Sequence, residues 1–233
     1  MVVAIVVGVL VGIIVGLING ALIAYMGVNP FIASLGMMAI VRGLVMGITD
    51  ARPISEWNES FSFLGTKSVG IIPLSTIFLI VLIIGAELFL RHTRRGRYIY
   101  VYGSNSEAGY LAGINMKSVL LTAYIFCGAT AAIAGIWLAA RLNTGSPVIA
   151  DDAALIAITA VILGGTSLTG GSGSVLKTAI GIMILGLMSN LMNLMEVASY
   201  YQILTKGLLV VIVVAFDAPG LKKLLKKISN KKH

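Results

Sequence analysis

Charged side chains make up only 11% of the 233 residues, less than half the roughly 25% of a soluble globular domain. That excludes a water-soluble enzyme of ordinary composition and a disordered tail. There is one cysteine, Cys127, so no internal disulfide forms and a disulfide scaffold is excluded. It sits in an apolar stretch, where a lone cysteine behaves as a small hydrophobe. The two histidines, His92 and His233, stand beside basic clusters, which leaves no basis for a histidine metal site. No G-x-x-x-x-G-K-[ST] phosphate loop occurs, so the chain is not expected to hydrolyse ATP itself. What is present is apolar: 58% hydrophobic residues, a mean hydropathy of +1.00 and 27 glycines against five prolines. This is the composition of packed membrane helices, where small residues let backbones approach. The expected fold is all-α, a polytopic transmembrane bundle with room for roughly six to eight spans.

The apolar runs are Val2–Met26, Phe31–Ile48, Ile71–Leu90, Ser118–Leu142, Val175–Met195 and Tyr200–Phe216. Val2–Met26 carries no charge and lacks the basic start and cleavage site of a secretory signal. Pro30 and Pro73 are each placed in a first helical turn, which proline tolerates. Asp217-Ala-Pro-Gly220 ends the last run. A seventh apolar run, Ala153–Leu163, is too short to cross about 30 Å alone. It is expected to be a half-helix continued by the glycine-rich 164–173 stretch, irregular backbone that must be buried in protein or line a cavity. That stretch has the glycine content of a phosphate cradle but not its lysine, and a packing or bending role is the simpler account.

The net charge of +8 would suggest nucleic acid in a soluble protein. Here the bases flank apolar segments and act as a topology signal, so no nucleic-acid partner is expected. Residues 91–117 hold Arg91, Arg94, Arg95, Arg97 and Lys117 against Glu107. The tail, 218–233, is rich in lysine and patterned as a basic amphipathic helix, suited to an anionic inner leaflet. Both are expected in the cytoplasm. The 50–70 loop and the 143–152 loop, with Asp50, Glu56, Glu59, Asp151 and Asp152, are expected outside. This gives about seven crossings with the N-terminus outside, a start best explained by further helices preceding Met1.

Gly8, Gly12, Gly16 and Gly20 form a stripe on one helix face, an extended small-xxx-small interface. Gly43 with Gly47, and Ala131, Gly135 and Ala139, repeat the spacing. Tyr200, Tyr201 and Trp137 fit interfacial aromatic belts. Polar residues inside the membrane are costly and tend to face the bundle interior or water. Asn19, Ser189, Asn190 and Asn193 are such residues, and two roles stand for them: interhelical hydrogen bonding, or a solute pathway. Arg42 and Lys206 are intramembrane bases that can snorkel, meet backbone carbonyls, or pair with an acid such as Glu196 or Glu87. So few ionisable groups argue against a proton-driven secondary transporter. In the 91–117 loop, Ser104 or Ser106 can cap a helix running from Glu107 to Ala112, with Gly113 as its stop. Such a helix suits docking to a soluble partner, or lies as a plain connector at the interface.

Several strings together resemble ribose-type ABC transporter permeases. They are Arg97-Tyr-Ile-Tyr-Val-Tyr-Gly-Ser-Asn-Ser-Glu-Ala108 with Ala112-Gly-Ile-Asn115, Val161-Ile-Leu-Gly-Gly-Thr-Ser-Leu-Thr-Gly-Gly171, Asn190 to Asn193 with Ser199-Tyr-Tyr-Gln202, and Asn29-Pro-Phe-Ile-Ala33 with Arg42-Gly43. The similarity runs from about residue 10 to Asp217. It implies a type II importer-like permease domain over 1–217, in the cell membrane, with a cytoplasmic tail. It also implies a homodimer, a cytoplasmic two-domain ATPase in which ATP acts, and an extracellular or periplasmic binding protein that delivers a monosaccharide such as ribose. No cofactor is implied in this chain, which is a transport subunit and not an enzyme. Tyr102, Gly103, Asn105, Glu107, Ala108, Gly113, Ile114 and Asn115 would contact the ATPase. Asn19, Ser189, Asn190 and Asn193 would face the pathway. Family members are longer at the N-terminus by several helices. The sequence departs from the family at Ala154 and Ile156, where two acids are usual; Asp151 and Asp152 stand just upstream. That departure motivates the alternative of an inactive membrane scaffold subunit.

Overall fold

The structure, a computed structural model, describes residues 2–55, 61, 65–167 and 170–217. Glu56, Glu59, Leu168, Thr169 and the basic tail, 218–233, lie outside the described residues. The helices are α1 (Val2–Met26), α2 (Pro30–Thr49), α3 (Leu74–His92), α4 (Arg94–Leu111), α5 (Met116–Leu142), α6 (Ala153–Leu163), α7 (Val175–Leu194) and α8 (Ser199–Asp217). Four two-residue strands, β1 (Ile54–Ser55), β2 (Ser68–Val69), β3 (Ile72–Pro73) and β4 (Thr144–Gly145), pair as β1 with β4 and β2 with β3. Among the described residues, α1, α2, α3, α5 and α7 are long and apolar enough to cross a membrane, and α6 and α8 are shorter apolar helices.

The apolar runs thus became helices at nearly the expected bounds, with one correction at α3. Pro73 is not in its first turn but in β3, opposite Ser68. Proline has no N–H for the ladder; the Leu74 N–H donates to the Lys67 carbonyl instead, 3.0 Å, and the helix starts there. Pro30 does open α2, behind Asn29, whose Oδ1 accepts from Phe31 N at 2.9 Å. Large apolar side chains point outward along the helices: Val3 is 75% exposed and Ile14 53%. Water would penalise such a surface, whereas lipid does not, so the helices are held by close packing rather than by burial from water.

The chain forms two compact units, Met1–Leu82 with Arg94–Ile149, and Ile83–Thr93 with Ala150–His233. In the first, α1 and α5 pack antiparallel through the Gly8–Gly20 stripe. A side chain at Gly12 would stand 2.5 Å from the Ala132 methyl and the Gly128 carbonyl oxygen, and one at Gly20 would meet Tyr124 and Leu121. The α5 face is therefore Tyr124, Gly128, Ala132 and Ile136. The expected Ala131–Gly135–Ala139 face is one residue away and is not this contact: a β-carbon added at Gly135, as at Gly43 or Gly47, would meet no other element within 4 Å among the described residues. Lys117 stands over the Tyr25 ring at 5.5 Å, at the junction of the α1 end with the α5 start. At the other end β1 pairs with β4, Ile54 opposite Gly145. The start of the 50–70 loop thus meets the start of the 143–152 loop. Trp137 stacks on Phe78 at 4.4 Å, so packing fixes it as well as any interface.

In the second unit α6 and α7 pack antiparallel, with Gly181 against the Ala160 carbonyl and Gly164 against Lys177. The 11 residues of α6 span only about 16 Å. The helix stops in a Schellman motif: Gly165 has φ +78° and donates to Ile162 O, and Thr166 N donates to Val161 O. This explains the Leu-Gly-Gly-Thr string. One glycine allows the close contact and the next supplies the left-handed residue, so the stretch is a bend, as expected.

Candidate functional site

The 91–117 segment is more ordered than a loop. α4 carries non-helical backbone at Asn105, φ −161° and ψ 95°, which divides it into two helical pieces. The cap of the second piece is Asn105, not Ser104 or Ser106: its Oδ1 accepts from Ala108 N at 2.9 Å. Ser104 turns back instead and donates to the Val101 carbonyl. Gly113 is the stop, as expected, with φ +78°. Its N–H donates to Tyr110 O, and the Ile114 N–H to Gly109 O, a second Schellman motif. Asn115 then caps α5 by accepting from Ser118 N at 3.1 Å. Gly109 is buried, and a side chain there would strike Val101 and Met116, so the second piece lies against both neighbours.

The eight expected coupling residues lie in the first unit: Tyr102 and Gly103 in the first piece of α4, Asn105, Glu107 and Ala108 at the start of the second, and Gly113, Ile114 and Asn115 in the link to α5. Tyr102, Gly103 and Ile114 are half-buried, while Asn105, Glu107, Ala108, Gly113 and Asn115 are exposed. Sequence reasoning missed Tyr110 and Leu111, which are 73% and 81% exposed. Both are large side chains left open on a short polar helix. Their place just before the glycine stop was the available signal.

The expected pathway residues are divided between the two units. Asn19 lies in the first unit, half-buried on α1, with its Oδ1 buried and lacking a hydrogen-bond partner among the described residues. Ser189, Asn190 and Asn193 lie on α7 in the second unit, Ser189 half-buried and both asparagines exposed. Asn193 accepts from Gln202 Nε2 at 2.9 Å, and the same amide donates to Val197 O at 2.9 Å. Gln202 thus ties the α7–α8 turn together, which gives the Ser-Tyr-Tyr-Gln string a structural reason. Lys206 finds its acid in Asp152, at 3.5 Å, rather than in Glu196 or Glu87. Within the second unit, α8 thus supplies two polar partners, Lys206 for Asp152 and Gln202 for Asn193.

Residues 1–214 match the family described as branched-chain amino acid transport system / permease component. The chain belongs to this permease family. Among curated relatives, the ribose import permease protein RbsC of Escherichia coli (strain K12) is 38% identical over 203 residues, covering 85% of this chain and 63% of that protein. RbsC of Bacillus subtilis (strain 168) is 37% identical over 201 residues, 85% of this chain and 62% of the relative. The D-allose transport system permease protein AlsC of E. coli (strain K12) is 35% identical over 200 residues, 85% and 61%. This permease thus spans a little under two thirds of the length of those relatives. No solved structure matches it. The family is one of polytopic helical membrane proteins, in accord with the apolar helices described above.

Proposed function

We propose that the chain is a membrane-spanning permease subunit of an ATP-driven importer of monosaccharides, of the ribose class. What carries the proposal is the alignment of 85% of the chain with permeases named for ribose and allose, sugars that are neutral and hydroxyl-rich. A pathway for such a solute needs hydrogen-bonding groups without a strong field. Asn19, Ser189, Asn190 and Asn193 are groups of that kind. The proposed partners are a second permease copy, a cytoplasmic two-domain ATPase and a binding protein that brings the sugar. The capped helix Asn105–Leu111 is the proposed contact for the ATPase, with Glu107, Ala108, Tyr110 and Leu111 presented to it. With the basic 91–117 segment and the tail in the cytoplasm, α1 enters from outside and seven crossings result, α6 being the short one.

ATP binding in the partner would displace the capped helix, and the membrane helices would alternate between outward and inward access. The test is uptake of labelled ribose and related sugars in vesicles holding permease, ATPase and binding protein. Glu107→Arg combined with Gly113→Lys is expected to abolish uptake while leaving membrane insertion intact. Unchanged ATP-driven uptake in that double variant would sink the assignment of the coupling contact.

A further inference from the structure

Glu87 is a carboxylate in the second half of α3, an otherwise apolar helix, and it is 7% exposed. Its partners come from a distant part of the chain. Oε2 accepts from Val175 N at 2.7 Å and Leu176 N at 3.4 Å, and Oε1 accepts from Ser174 Oγ at 3.1 Å. These are the first donors of α7, left without intrahelical partners. Ser174, at the cap position, makes no side-chain cap bond of its own; its hydroxyl serves Glu87 instead. Arg91, one turn along α3, holds Glu87 Oε1 through Nε at 2.6 Å. The buried charge is thus fully met, and the macrodipole of the 20-residue α7 favours it.

The same C-terminal end of α3 leads directly to the segment proposed to meet the ATPase. Only Thr93 separates α3 from α4. Its N–H and its hydroxyl both donate to the Phe89 carbonyl, at 3.2 and 2.6 Å. A one-residue connection reaches at most about 3.6 Å, so the end of α3 and the start of α4 move together.

Resting on the transport reading above, we propose that Glu87 is the positioning residue that carries movement of the 94–115 segment into α7. The route is covalent from α4 through Thr93 to α3, then ionic and hydrogen-bonded from Glu87 to the α7 N-terminus. α7 in turn bears Ser189, Asn190 and Asn193. A carboxylate suits this role because it grips three donors of one helix end at once and is itself fixed by Arg91.

The test follows α7 directly. In a Cys127→Ala background, which removes the single native thiol, Asn190→Cys reports by its rate of labelling with a water-soluble maleimide. The permease is reconstituted in liposomes with the two-domain ATPase of its transport system, and labelled with and without a non-hydrolysable ATP analogue. The parent is expected to change its labelling rate at least fivefold on adding the nucleotide. Glu87→Ala is expected to change less than twofold while still co-purifying with the ATPase, and Glu87→Gln to fall between. A merely structural loss would lower the yield of folded protein but leave the nucleotide-dependent ratio intact. A ratio in Glu87→Ala equal to the parent's, or a parent that does not respond, would overturn the proposal. Should Glu87→Ala fail to insert, Glu87→Gln and Ser174→Ala decide by the same ratio. A parent that responds but takes up no monosaccharide would remove the transport reading and leave the role of Glu87 standing.

Discussion

Gly12→Ala adds a single methyl to α1, and the structure sets its consequence. The new carbon would stand 2.5 Å from both the Ala132 methyl and the Gly128 carbonyl oxygen. Ordinary contact begins near 3.4 Å, so α1 and α5 must part by about 1 Å. A gap of that size forfeits a quarter to a half of each dispersion well, about 0.1–0.2 kcal/mol per atom pair. If the stripe makes as many pairs as one buried leucine, about 40–60, the loss is about 1–6 kcal/mol. Measured overpacking costs of about 1–3 kcal/mol favour the lower part of that range. The better helix propensity of alanine returns just under 1 kcal/mol, leaving a net loss of up to about 2 kcal/mol. Gly135→Ala, on α5 itself, makes the comparison. The added methyl would meet no other element within 4 Å among the described residues, so only the propensity gain remains. The assay is unfolding of purified permease in mixed micelles titrated with a denaturing detergent, followed by tryptophan fluorescence. Gly12→Ala should unfold at lower detergent fraction than the parent, and Gly135→Ala at the same or higher. A Gly12→Ala as stable as Gly135→Ala would refute the packing argument.

Other perturbations follow from the same geometry. Gly165→Ala forces a β-carbon into left-handed backbone at the end of α6 and should cost about 1–2 kcal/mol in the same titration; no loss would mean that the α6 stop is formed differently. Asn105→Ala removes the cap of the second α4 piece and should cost about 1 kcal/mol, read as faster hydrogen exchange of the Ala108 amide. Asp152→Asn breaks an ion pair whose acid is 59% exposed, so its effect on stability should stay within about 1 kcal/mol, and a larger loss would show that the pair is shielded in the membrane. Gln202→Leu removes two donated hydrogen bonds from the α7–α8 turn and should destabilise by about 1–2 kcal/mol.

Long apolar runs made the helices legible, because lipid leaves a span no alternative to satisfying its backbone internally. The bounds of α5, α6 and α7 followed from that alone. The stop at Gly113 and the bend after Leu163 were legible because left-handed backbone selects glycine. Which glycines pack was not. Gly128 and Gly135 look alike in sequence, and only the rotation of α5 against α1 separates a tight contact from an open face. The cap at Asn105 was missed because Ser104, Asn105 and Ser106 are all good caps. Their choice depends on where the chain enters, and Ser104 is drawn back to Val101. Glu87 and Asp152 were seen as acids but not as partners of Ser174 and Lys206. An ion pair across 54 residues and a hydrogen bond across 87 are set by tertiary packing, which no local pattern encodes. Of the candidate site, the capped helix was legible in outline, while the pairing of Asn193 with Gln202 and of Asp152 with Lys206 needed the tertiary packing.

The central claim is that the chain works as a permease subunit driven through the 98–115 segment. Its most direct test is co-purification with the two-domain ATPase from detergent-solubilised membranes, comparing the parent with a variant carrying Glu107→Arg, Tyr110→Ala and Leu111→Ala. The account predicts a stable complex for the parent and its loss in the variant, with both inserted to the same level. Association that is indifferent to these three residues, or none from well-inserted parent protein, would contradict it.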